Sequence, residues 1–248
     1  MPVYRDEAVV LRTQKLGEAD RIVTLLTKRN GRVRAVAKGV RRTGSRLGAR
    51  VEPFSHVDLM LYTATVEAKR GLDTVTQAET ITPYGKQIAV DYTRYTAGTA
   101  MLETAERLTA EEREPTIRLF LLLVGGLRAL ATGEHTPRLV LDAFILRALA
   151  CSGYEPTLSG CSRCDDSSGR LWFAPPAGGL VCAQHRLPQS AAVTAESVGL
   201  LVALLSGDWA VADAADDRVQ RDVSGLVAAY LQWQLEQGLR SLRLVEPA

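Results

Sequence analysis

Cys161-Ser162-Arg163-Cys164 and, seventeen residues later, Cys182-Ala183-Gln184-His185 are the sharpest chemical signal in this 248-residue chain. Three thiols and an imidazole, delivered as two close pairs, match a tetrahedral Zn²⁺ site of the Cys₃His kind. Four ligands close the coordination sphere, so no position is left for a reactive water and the metal reads as structural. Gly169, Pro175, Pro176, Gly178 and Gly179 permit a short hairpin between the pairs, within a small irregular insert at 157–188. Zinc binding would supply folding energy to a segment too small and polar to build its own core. A disulfide pair and chance spacing are the alternatives; a cytosolic setting disfavours the first. Cys151 lies outside the spacing and reads as a buried helix residue.

A second grouping is electrostatic. Along 31–38, Arg32, Arg34 and Lys38 fall on one strand face with Val36, while Val33, Ala35 and Ala37 fall on the other. The turn-rich segment 39–48 adds Arg41, Arg42 and Arg46, with Arg50 just beyond, and no acidic residue lies between Lys38 and Glu52. Cations on a strand and on the loop it feeds would hold a polyanion through its phosphates. A solvated surface strand is the competing reading. Net charge is only +2, but residues 1–80 hold 15 Lys and Arg against 9 Asp and Glu, and the remainder 15 against 19. Positive charge is thus confined to the front of the chain, as in a polyanion-binding half joined to a half with another task.

The elements that must position these groups follow from periodicity. Runs at 9–11, 21–26, 32–38, 57–62 and 65–75 read as five strands, which fit a small closed barrel. Strand count alone does not separate an OB-fold from an SH3-like barrel. In an OB-fold the second and third strands face nucleic acid, which would place Arg21, Arg32, Arg34 and Lys38 there. Past Thr82 the period becomes helical, with Pro83 suited to a first helical position and Ile88, Tyr92, Tyr95, Thr99 and Leu102 at helical spacing. Further helices are expected at 115–131, 138–151, 195–205 and 218–242, the last with Val223, Leu226, Val227, Tyr230, Leu231, Trp233, Leu235 and Leu239 inward. Gly125-Gly126 reads as a close helix–helix contact. The expected class is α+β multidomain: a β-barrel over 1–80, then an α-helical domain over 81–248 containing the insert.

Glu18-Ala19-Asp20-Arg21-Ile22-Val23, Gly31-Arg32-Val33-Arg34-Ala35-Val36-Ala37-Lys38-Gly39-Val40-Arg41-Arg42 and Leu47-Gly48-Ala49-Arg50-Val51-Glu52-Pro53-Phe54 closely resemble the amino-terminal domain of the bacterial RecO recombination mediators. The similarity continues weakly through the helical half. The resemblance implies an OB-fold, binding of single- and double-stranded DNA, annealing of complementary strands and, with RecR, help in loading RecA onto DNA coated by single-strand-binding protein (SSB). It also implies a cytoplasmic, nucleoid-associated protein. Many RecO relatives carry four cysteines at the insert and some have lost the site; His185 takes the last place here. Phosphate contacts are assigned to Arg21, Arg32, Arg34, Lys38, Arg41, Arg42, Arg46 and Arg50. The family's recognition of the acidic SSB tail would fall on helix 138–151, with Arg138 or Arg147 as carboxylate partners. Asp142 on that helix would repel such a tail, so SSB binding is expected to be weak or different.

Stacking aromatics are sparse in the barrel, apart from Tyr4, Phe54 and Tyr62, so binding should lean on charge and tolerate duplex. Catalysis finds no support. Gly39-Val40-Arg41-Arg42-Thr43-Gly44-Ser45-Arg46 outlines a P-loop, yet Ser45-Arg46 replaces the Lys and hydroxyl that nucleotide hydrolysis needs. His56 reads as a structural histidine and Glu111-Glu112-Glu114 as a solvated helix connection rather than a two-metal nuclease site. No apolar run approaches the roughly 18 residues of a membrane span, and MPVYRDEAVV lacks a signal peptide's apolar core. The rival reading is an RNA-binding module of the translation apparatus that uses the same barrel and zinc knuckle.

Overall fold

Small apolar residues alternating with polar ones along Gly31–Ala37 bury Val33, Ala35 and Ala37 and leave Arg32, Arg34 and Val36 half-buried on the opposite face. This strand is the third of a barrel in a computed structural model that describes residues 3–45, 47–63 and 72–235. The chain divides into two compact units, Met1–Thr132 and Gly133–Ala248.

In the first unit, β1 (Val3–Leu16), β2 (Asp20–Thr27), β3 (Gly31–Ala37), β4 (Ser55–Tyr62) and β5 (Asp73–Pro83) close in the order β1-β2-β3-β5-β4, with β4 returning to β1. Only β3 and β5 run parallel. This is the five-stranded barrel of an OB-fold. Ala8, Val10, Val23, Leu25, Ala35, Val57, Leu59, Leu61 and Val75 fill its interior. A register shift after Val10 bends β1, so its fourteen residues serve both β2 and β4. The β2–β3 turn is organised by buried Asp6, whose carboxylate accepts the backbone N–H groups of Arg29 and Asn30 and the Asn30 side-chain amide.

Val9 and Leu26 lie outside the interior cluster yet are equally inaccessible, because helices cover that side. They are α2 (Tyr92–Leu108) and α3 (Ile117–Thr132), preceded by the short α1 (Gly85–Ile88). Asp91 caps α2 by accepting the Arg94 N–H at 2.8 Å. The expected elements need correcting here. The fifth strand is 73–83 rather than 65–75, of which 65–71 lie outside the described residues, and Pro83 ends a strand instead of starting a helix. Tyr92 and Tyr95 are exposed, while Ala97, Ala100, Met101 and Leu102 are buried. Gly125 is exposed with open space around it, so it makes no close helix contact.

In the second unit, α4 (Pro137–Cys151) packs against α5 (Ala195–Ser206) and α7 (Asp217–Gln234), with the short α6 (Trp209–Asp213) beside α5. The insert folds as an antiparallel sheet in the order β7-β6-β8, from β6 (Trp172–Ala174), β7 (Gly179–Val181) and β8 (Ala191–Ala192). Phe173 anchors it edge-on to Tyr230 of α7 at 5.6 Å. On α7, Val223, Val227, Tyr230 and Leu231 are buried as expected, but Trp233 is 52% exposed and Leu239 lies outside the described residues. Among the described residues no helix is long and apolar enough to cross a membrane.

One close approach fixes the first unit's most demanding position. Gly31 has φ +61°, and a Cβ there would sit 1.8 Å from the Glu114 backbone oxygen. Gly31→Ala should therefore cost about 3 kcal/mol or more, read as a lowered urea midpoint. An unchanged midpoint would show that 114 does not lie against β3.

Candidate metal centre and nucleic-acid interface

The four sequence-predicted ligands converge. The donor atoms of Cys161, Cys164, Cys182 and His185 all lie within 4.8 Å of one another. The turn at 161–165 is closed by the Asp165 N–H on the Cys161 carbonyl, and Asp165 takes φ 57°. The Ser162 N–H donates to Leu180 O at 2.8 Å, which ties that turn to β7 beside Cys182. A 3-10 turn, Ala183–His185, then swings the imidazole back. Cys164 Sγ to Cys182 Sγ is 3.9 Å, Cys161 Sγ to His185 Nδ1 is 3.6 Å and Cys182 Sγ to His185 Nδ1 is 3.4 Å. Metal–sulfur bonds of about 2.3 Å and a metal–nitrogen bond of about 2.0 Å give tetrahedral edges of about 3.8 Å for S–S and 3.5 Å for S–N. The donor set thus fits a single tetrahedral ion, and its cysteines are free thiols rather than a disulfide. Cys161 and Cys182 pack with Trp172, Ala174 and Val181, while Arg170 and Arg186 stand over the Trp172 ring at 5.5 and 5.0 Å. Cys151 is half-buried at the end of α4 and outside the cluster.

The cations sort into two groups. Arg32 donates to the Ala110 carbonyl at 2.6 Å and the Glu106 carbonyl at 3.4 Å, at the C-terminal end of α2, where free carbonyls favour a cation. Arg12 pairs with the Glu106 carboxylate at 2.9 Å. Arg50 donates to Ala78 O of β5 at 2.7 Å, and Arg21 pairs with Glu52. These side chains hold the barrel and its helices together. The second group clusters at one end of the barrel. The Gly39 N–H donates to Asp20 Oδ1 and the Arg41 N–H to Ala19 O, so the basic loop is folded against the β1–β2 turn. Arg41 reaches Gly17 O at 3.2 Å with its side chain exposed, Lys38 and Arg42 are exposed, and Arg34 is half-buried. Arg46 lies outside the described residues.

Two contributors were missed by sequence reasoning. Lys15 is exposed and stands opposite Arg21 across β1 and β2, a placement that only the register reveals. Arg113 donates to buried Asp73 at 2.6 Å, beside the Tyr4 hydroxyl on the same carboxylate, and its N–H bonds to Arg32 O. The acidic connection 111–114 is therefore more than a solvated link: Glu112 bridges to Arg32 and extends the edge of β3.

On α4, Arg138 is half-buried, whereas the Arg147 guanidinium caps α5 through Leu204 O and Leu205 O at 3.0 Å each, with Gly207 packed against it. Asp142 is buried and accepts the Ser224 hydroxyl. It is therefore not displayed on the surface of α4, where the sequence reading sets it against a peptide. Its carboxyl is pushed up to about 7 by burial, against the Ser224 hydrogen bond and Arg138.

Barrel, helical cover and insert together define an OB-fold protein whose helical unit carries a Cys₃His metal-ligand cluster. The family model described as recombination protein O N terminal matches residues 1–84, and that of recombination protein O C terminal matches 89–243. The chain is 60% identical over 247 residues to the DNA repair protein RecO of Nocardioides sp., covering 98% of this chain and 99% of that protein. It is 59% identical over 247 residues to that of Streptomyces griseus (99% and 100%) and 60% over 248 residues to that of Frankia casuarinae (100% of each). The chain belongs to the RecO family of DNA repair and recombination proteins.

A pH test follows from Asp142. Its folded-state value lies above the ordinary 3.8, so its contribution is fully present below about 4 and is lost as pH rises through about 7. Stability of the second unit should fall by roughly 2–4 kcal/mol between pH 5 and pH 8, and Asp142→Asn should flatten that slope in urea unfolding. An identical slope in the variant would remove Asp142 as the cause.

Proposed function

We propose that this protein is a recombination mediator that binds single- and double-stranded DNA through the cationic end of its barrel and anneals complementary strands without making or breaking a bond. The observation that carries the reading is the loop 39–45 folded against the β1–β2 turn, which leaves Lys38, Arg41 and Arg42 exposed at that end of the barrel, where Lys15 stands opposite Arg21. Among the described residues no carboxylate pairs with Lys15, Arg34, Lys38 or Arg42. Cations held by a rigid barrel neutralise phosphates of two strands at once and lower the repulsion that opposes pairing. Of the other assigned arginines, Arg21 and Arg50 tie the barrel's own segments together, and Arg32 joins the opposite end of β3 to α2.

The insert holds Zn²⁺ as a structural ion on Cys161, Cys164, Cys182 and His185, where it fixes two turns that the short sheet alone would not order. Family membership supports work alongside RecR, SSB and, indirectly, RecA. With Arg147 committed to capping α5, Arg138 is the better candidate for the carboxylates of an SSB tail.

About five phosphate contacts should give a log–log salt slope near −3.5 for single-stranded DNA. Fluorescence anisotropy at increasing salt measures it, and a slope near zero would remove the barrel end as the contact surface. The same protein should accelerate annealing of complementary oligonucleotides. RNA outcompeting DNA of equal length, with no annealing, would favour a translation-linked RNA-binding module instead.

A further inference from the structure

The four ligands of the insert are not equally protected. Cys161 and Cys182 are buried, whereas Cys164 is exposed and its Sγ lies 3.9 Å from Cys182 Sγ. We propose that Cys164 is an oxidation site for peroxides, which close a disulfide to Cys182 and release the bound metal, so that the insert opens reversibly under oxidising conditions. The inference rests on the metal reading above, and adds to it a chemical input.

The chemistry needs one molecule of hydrogen peroxide. Cys164 thiolate sulfur attacks one peroxide oxygen, the O–O bond breaks, and the departing hydroxide takes a proton to become water. The product is a sulfenic acid on Cys164. Cys182 thiolate then attacks that sulfur and displaces hydroxide, which a second proton converts to water. Two thiolates have lost two electrons to the O–O bond, and one S–S bond has formed. Cys164 meets the oxidant first because it is exposed, and of the two sulfurs in contact with it, Cys161 and Cys182, the pairing with Cys182 at 3.9 Å is the one that joins the two ligand turns. Cys161 and His185 alone cannot complete a tetrahedral sphere, so the ion leaves.

The fold limits how far the opening spreads. Phe173 on Tyr230 anchors the insert's sheet to α7, and the Tyr230 hydroxyl on Tyr154 O holds the chain that leads into the insert, neither using a metal ligand. Oxidation should therefore loosen the turns at 161–166 and 182–185 while α4, α5 and α7 stay folded.

The test treats purified full-length protein, with its zinc content measured first, with one to two equivalents of hydrogen peroxide. A chromogenic chelator follows zinc, a thiol reagent follows cysteines, and mass spectrometry maps the peptides. The expected result is release of about one zinc per chain, loss of two of the four thiols, a Cys164–Cys182 linked peptide, unchanged helical circular dichroism, and recovery with dithiothreitol and zinc. Cys164→His, which keeps four ligands with no oxidisable group at the exposed position, should retain zinc under the same treatment; should that variant fail to fold, the wild-type peptide map decides. Retention of zinc by oxidised wild type, or a linkage through Cys161 or Cys151, would overturn the proposal. Protein that carries no zinc at the outset refutes the metal reading and with it the release step, a failure distinct from zinc that is bound but survives oxidation.

Discussion

Three residue pairs, Ala35 with Asp73, Val36 with Thr74 and Ala37 with Val75, join β3 to β5 and close the barrel. A sheet left open there would expose unpaired backbone groups along β3. Beyond those three pairs the edge is completed by the α2–α3 connection, which bridges at Glu112 and accepts the Gly31 turn closely enough to exclude a side chain. Asp73 stands at the junction, a buried carboxylate held by the Tyr4 hydroxyl and the Arg113 guanidinium. A charge taken out of water is tolerable only when paired and hydrogen-bonded in this way. The same closure explains why α2 and α3 belong to the barrel's compact unit.

Closure also divides the cations. The face of β3 that carries Arg32 meets α2, and the guanidinium is consumed by that helix's free carbonyls. At the other end of the same strand the chain turns outward at Gly39, and Lys38, Arg41 and Arg42 are exposed on a loop held by Asp20, by backbone hydrogen bonds and by buried Val40. The geometry says which charges remain available to a polyanion. In the second unit the equivalent division separates Arg147, spent on capping α5, from Arg138.

What was legible in the sequence was whatever is encoded locally. Alternation placed Val33, Ala35 and Ala37 inside correctly, and ligand spacing found the Cys₃His cluster, because both depend on residues a few positions apart. Strand five was displaced because its outer residues, Gln77, Glu79 and Thr80, are exposed and its alternation is weak. Arg32 could not be told from Arg42 by type or by run, since the difference is a helix end more than seventy residues away in the chain. Asp142 was different: it sits in an apolar run, Leu139-Val140-Leu141-Asp142-Ala143-Phe144, and that context already announced burial.

The central claim is that barrel closure uses Arg32 while the loop cations remain for phosphate. Urea unfolding and single-stranded DNA titration at low salt, run in parallel on Arg32→Gln and on the double substitution Lys38→Gln with Arg42→Gln, address it directly. The account predicts a lowered unfolding midpoint with near-native DNA affinity for the first, and native stability with at least about tenfold weaker binding for the second. Weakened binding at unchanged stability for Arg32→Gln, with the double variant still binding like the native protein, would contradict it.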